Sequence, residues 1–158
     1  MMLDDLLPRH LDNEYRGKTS ALWLFGLVVA MKGTQSLAII FNGYATVRDA
    51  DGIPLDSYPP AIAQTVVGAF AQGSLWRLFF CLLCVLVLRR YRSAVPLMFA
   101  LLALNYVAAQ LILQFVPLHR VGAPVGPLVN LTLFVIMVIG FGLSLWRRGS
   151  VAQARPAA

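Results

Sequence analysis

Four long, mostly apolar runs constrain this chain more than anything else in it: about Ser20–Asn42, Ala61–Leu88, Ala94–Val116 and Ala123–Trp146. A helix of roughly 20 apolar residues rises about 30 Å, the thickness of a bilayer's hydrocarbon core. Hydrocarbon offers no partner to a bare N–H or C=O, so runs of this kind satisfy their backbone internally, as helices. The expected fold class is therefore all-α: a polytopic membrane protein built as an antiparallel bundle of four transmembrane helices. Composition agrees, with 59% hydrophobic and 13% charged residues, where soluble domains carry roughly 25% charged. The expected organisation is a polar tail over 1–19, one membrane domain over 20–148, and a flexible tail over 149–158.

The formal net charge of +6 does not point to nucleic acid. The bases flank the apolar runs instead of lining one face, where they set topology and meet anionic lipid. Arg9, Arg16 and Lys18 precede the first run, Arg89, Arg90 and Arg92 follow the second, and Arg147, Arg148 and Arg155 follow the fourth. The two remaining loops carry only Arg48 and Arg120, so nine bases stand on one side and two on the other. By the positive-inside rule both termini face the cytoplasm, in the cell inner membrane of a bacterial-type cell. The N-terminal stretch lacks the basic, apolar and cleavage regions of a signal peptide. Leu3, Leu6, Leu7 and Leu11 recur at helical spacing there, as in a short amphipathic helix lying on the membrane, although Pro8 interrupts it.

Within the first run stands Met31-Lys32-Gly33-Thr34-Gln35-Ser36. A lysine at mid-membrane costs roughly 2.5–3.5 kcal/mol, so an ionisable residue there is a functional candidate. Counting about 1.5 Å per residue from the cytoplasmic ends places Lys32, Arg77 and Asn105 at one depth, roughly 16–18 Å in. Gln35, Gln72, Gln110 and Asn130, one from each span, share a second level roughly 22–24 Å in. No Asp or Glu occurs in any span. Two central cations without a carboxylate of their own need carbonyls, amides, water or an outside anion. The candidate anion-binding set is thus Lys32, Arg77, Asn105, Gln35, Gln72, Gln110 and Asn130, with interhelical hydrogen bonding as the competing explanation. Lys32 and Arg77 on opposite sides of the helices would remove the site.

Other patterns are weaker. Ser74, Arg77, Cys81 and Cys84 share one face of the second span, which should point inward. Cys81-Leu-Leu-Cys84 is mid-helix and apolar in setting, so packing explains it better than redox chemistry. Small residues at Ala69 and Gly73, and at Gly122 and Gly126, allow close helix approach, with homodimerisation as a sharper alternative. Asp49, Asp51 and Gly52 resemble the start of a calcium loop but lack its remaining ligands, which leaves a solvated turn. Ile53, Leu55 and Tyr58 in that loop would prefer cover, and could fold it over the mouth of the bundle.

The only histidines, His10 and His119, fall outside the spans, which disfavours a membrane haem. No zinc-protease, nucleophile-elbow or phosphate-loop motif is present, and no metal or cofactor is expected. The leading expectation is a non-enzymatic inner-membrane protein that binds an anionic lipid or amphiphile, or a partner protein, through its polar layer. The alternatives are an oligomeric transporter or channel-like component with Lys32 and Arg77 on its path, and a lipid- or quinone-linked enzyme subunit.

Overall fold

A computed structural model of the chain describes Asn13, Tyr15 and residues 17–146. The amphipathic helix expected within 1–19 lies mostly outside the described residues, and the tail over 149–158 lies wholly outside them. All regular structure among the described residues is helical. Four helices are long and apolar enough to cross a membrane: α1 (Thr19–Phe41), α2 (Pro60–Arg90), α3 (Val95–Phe115) and α4 (Val125–Leu145). This is the pattern of a multi-pass membrane protein.

Local chemistry sets the helix ends. Pro59 is extended, as a residue before proline must be, and Pro60 opens α2 where its missing N–H costs nothing. Arg89 and Arg90, expected in the turn after the second span, instead form the last turn of α2, where cations meet the negative end of the helix dipole. At 31 residues, α2 rises about 46 Å, more than a bilayer core, so it must tilt or project. Ala123 precedes Pro124 and stays out of the helix, so α4 begins two residues later than the apolar run.

The helices do not pack evenly. α1 lies closely along α2 and α4, and α3 lies along α4. α2 and α3, joined only by the short turn at Arg92–Ala94, touch little. The main core gathers residues from the start of α1, the end of α2, the start of α3 and the end of α4. At its centre the wholly buried Phe25 and Phe99 meet edge to face, centroids 5.0 Å apart. Gly140 supplies the space for Phe99, since a Cβ there would lie 2.7 Å from ring atom Cε1. Cys81 and Cys84 are free thiols buried in this core. The same end is tied by the Lys18 N–H donating to the Leu143 carbonyl at 3.3 Å, and by Lys18 Nζ lying 3.9 Å over the Trp146 ring.

A second, smaller core closes the other end. The segment after α1 coils through a helical turn at Gly43–Ala45, a π-turn at Thr46–Ala50 and a 3₁₀ turn at Leu55–Ser57. Its Val47, Ile53 and Leu55 pack with Ile39 of α1 and Ala63 of α2. The apolar residues of the loop thus take cover against the helix ends. Gly52 makes this possible: its φ of +72° suits a residue without a side chain, and a Cβ there would sit 2.9 Å from Pro124. The Gly52 carbonyl accepts the Val121 N–H at 2.8 Å, which stitches this cap to the loop between α3 and α4.

Candidate functional site

The separation of α2 and α3 leaves a cavity of about 560 Å³, backed by α1 and α4 and roofed by the two loops. That volume is typical of small-molecule sites. Lys32 of α1, Arg77 of α2, Asn105 and Gln110 of α3, and Asn130 of α4 all line it. The two central cations therefore face one common space. Lys32 Nζ donates to Asn130 Oδ1 at 2.5 Å, which satisfies one of the three ammonium donors and leaves two. Ser36 Oγ donates back to the Lys32 carbonyl at 2.9 Å, a local bond that leaves the lysine side chain free to reach inward. Among the described residues no acceptor is bonded to the Arg77 guanidinium and no carboxylate pairs with it.

Two members of the expected set lie elsewhere. Gln72 is exposed on the outer side of α2, away from the cavity. Gln35 points into the protein, where its Oε1 is buried without a hydrogen-bond partner among the described residues. The two expected depth levels also merge at one contact, because Lys32 of the lower level reaches Asn130 of the upper. A long basic side chain climbs toward polar surroundings when its own depth is apolar.

The loops supply two site residues that the span-by-span reading missed, Asp51 and Arg120. The Asp49–Asp56 stretch divides its acids. Asp49 and Asp56 stay exposed, with Arg48 Nε donating to Asp49 Oδ1 at 2.7 Å and one Arg48 amino group 3.6 Å from Asp56. Tyr44 Oη donates to Asp56 Oδ1 at 2.7 Å. Arg48 beside Asp49 holds that carboxyl below the usual carboxylate range. Asp51 turns the other way, into the cavity. It is half-buried instead of solvated, and its turn rests on Gly126, where a Cβ would come 2.7 Å from the Ala50 carbonyl oxygen and 3.0 Å from the Asp51 carboxylate. Burial pushes the Asp51 carboxyl up, while Arg120 and then Arg77 pull it down. The absence of acids from the spans thus does not leave the cavity without a carboxylate. The signal for this was present: the apolar residues at Ile53 and Leu55 carry the neighbouring Asp51 inward with them.

The walls change character along the helices. Asp51 and Arg120 stand at the loop end, and the inner end closes on Phe80, Leu102 and Met137. Met137 is itself wholly buried in the main core beside Phe99, so the core plugs the cavity on that side. Tyr106 stacks on Phe134 with centroids 4.6 Å apart and lines the space. Among the described residues no three His, Cys, Asp or Glu side chains gather as a metal-binding group. The arrangement is suited to holding an anion: cations and amides converge on one apolar-walled pocket. No protein-family model, curated protein or solved structure matches this chain.

Proposed function

We propose that this chain is a non-enzymatic protein of a bacterial-type inner membrane that binds an anionic lipid or amphiphile in the cleft between α2 and α3. In this reading the helices form an antiparallel bundle with both termini cytoplasmic. Residues from the start of α1 and the end of α4 share one core with those beside the α2–α3 turn, and the flanking arginines put that end inside. The cleft then faces the outer half of the bilayer, with the loop cap above it.

One observation carries the proposal: Lys32 and Arg77 line the same pocket, on helices that contain no acid. Burying a cation in a membrane is costly, and a partner anion offsets the cost. Interhelical bonding alone accounts for Lys32, which reaches Asn130, but not for Arg77, which bonds to nothing among the described residues. The cleft between α2 and α3 is a route by which a lipid tail can stay in the bilayer while its headgroup enters. A path through the protein is not favoured, because the Phe25–Phe99–Met137 core plugs the inner end.

The test is native mass spectrometry of the gently extracted protein. Wild type is expected to retain an anionic lipid or small amphiphile, and Lys32→Met and Arg77→Met to lose it. Wild type that emerges bare, or variants that keep the ligand undiminished, would refute the site. Orientation is checked separately with Ser57→Cys in a background lacking Cys81 and Cys84. An impermeant maleimide should label it from outside intact cells only.

A further inference from the structure

The charge balance of the cavity narrows the ligand further, resting on the anionic-amphiphile reading above. Lys32, Arg77 and Arg120 place three cations on it against the single carboxylate of Asp51, a net charge of +2. Charges in a low-dielectric site interact strongly, and an uncompensated one is expensive. A phosphodiester headgroup brings one negative charge and leaves the pocket cationic. A phosphomonoester brings close to two at neutral pH and presents three strong acceptor oxygens. The donors fit that demand: two guanidinium forks suited to bidentate contact with phosphate, and two free hydrogens on Lys32.

We propose that the cavity is a site for an amphiphile with a dianionic phosphomonoester head, in preference to a phosphodiester lipid. The head lies among Lys32, Arg77 and Arg120, and the chain leaves along Phe80, Leu101 and Trp76 between α2 and α3. Asp51 sets the preference by holding the net charge at +2: with a neutral residue there, the pocket would accept a more highly charged head.

Calorimetric titration in uncharged detergent at pH 7 tests this, with phosphatidic acid and phosphatidylglycerol of matched short chains as probes. Wild type is expected to bind phosphatidic acid about tenfold or more tightly than phosphatidylglycerol. Arg120→Gln lowers the net charge by one and should erase most of that preference. Asp51→Asn raises it by one and should tighten both lipids, phosphatidic acid the more. Glycerol 3-phosphate lacks the chains and should bind far more weakly than phosphatidic acid. Phosphatidylglycerol binding as tightly as phosphatidic acid would overturn the proposal, as would a preference that survives Arg120→Gln, or glycerol 3-phosphate matching phosphatidic acid. If neither lipid binds wild type, the anionic-amphiphile reading itself falls, a result distinct from binding without preference.

Discussion

Gly140→Ala tests the plug that closes the inner end of the cavity. A methyl group at this position would press hardest on Phe99 Cζ and would sit 2.7 Å from Cε1 and 3.2 Å from Cε2. Carbon atoms rest at about 3.5–4.0 Å, so the ring would have to move by about an ångström or more. It has little room, since Phe99 is wholly buried and lies edge-on to the equally buried Phe25 at 5.0 Å. Overpacking of this kind costs about 1–3 kcal/mol. Against it stands the helical preference for Ala over Gly, about 0.8–1.0 kcal/mol. The clash should win, for a net loss of up to about 2 kcal/mol. Gly142, two residues on, is the matched control, because nothing lies within 4 Å of a Cβ built there. Gly142→Ala should therefore show only the gain, up to about 1 kcal/mol. The assay is reversible unfolding in mixed micelles of rising SDS fraction, monitored by circular dichroism. The two variants should move the midpoint in opposite directions. Gly140→Ala at least as stable as Gly142→Ala would refute the packing assigned to Phe99.

Two further outcomes follow from other parts of the structure. The Tyr15 hydroxyl is buried without a hydrogen-bond partner among the described residues, and burial pushes its pKa up to about 12 from 10.0. The folded state thus holds the phenol proton more tightly than the unfolded chain does. Its contribution to stability is complete below pH 10 and is lost as pH rises toward about 12. Absorbance titration of phenolate should show a late step that Tyr15→Phe removes, and an unchanged titration would count against the burial. Cys84→Ala, at a wholly buried thiol that does not line the cavity, should lower stability in the SDS assay by about 1 kcal/mol through lost packing yet leave lipid retention intact. Loss of lipid under oxidising but not reducing conditions in wild type would instead favour a redox role for the pair.

Helix positions were legible because bilayer thickness and hydrocarbon chemistry dictate them. The apolar runs and the observed helices differ by no more than two residues at any end, and the differences trace to Pro124 and to Arg89-Arg90. A depth count follows from the fixed rise of a helix, although the two levels it gives meet at the Lys32–Asn130 contact. What a depth count omits is the angle around the helix axis, and there Gln72 went astray. Of the face recognised from its spacing, Ser74, Cys81 and Cys84 are buried, while Arg77 lines the cavity and stays exposed. Gln72 lies about 200° around the axis from Ser74, so the same reasoning turns it away from the interior. The structure leaves it exposed. Gln35 is harder, because it stands only about 60° from Lys32 around the helix, and it is the neighbouring buried Ser36 that shows this side of α1 to be packed.

Loop residues have no such coordinate. Asp51 and Arg120 reach the cavity through contacts far apart in sequence: Gly52 against Pro124, the Val121 N–H on the Gly52 carbonyl, and Gly126 beneath Asp51. Each depends on a glycine whose missing side chain permits close approach, and nothing in the periodicity of a span reports that. Yet these two residues set the charges at the mouth of the site. With Lys32 and Arg77 alone the pocket has a charge of +2 set by the membrane helices. Arg120 raises it and Asp51 restores it, so the loops leave the total unchanged while adding an adjustable pair at the mouth. The spans alone therefore give the cavity the net charge of +2 from which the anion proposal starts. The cap, held by its two glycine contacts, adds one cation and one carboxylate at the mouth, so neutralising either one shifts the net charge of the pocket by one.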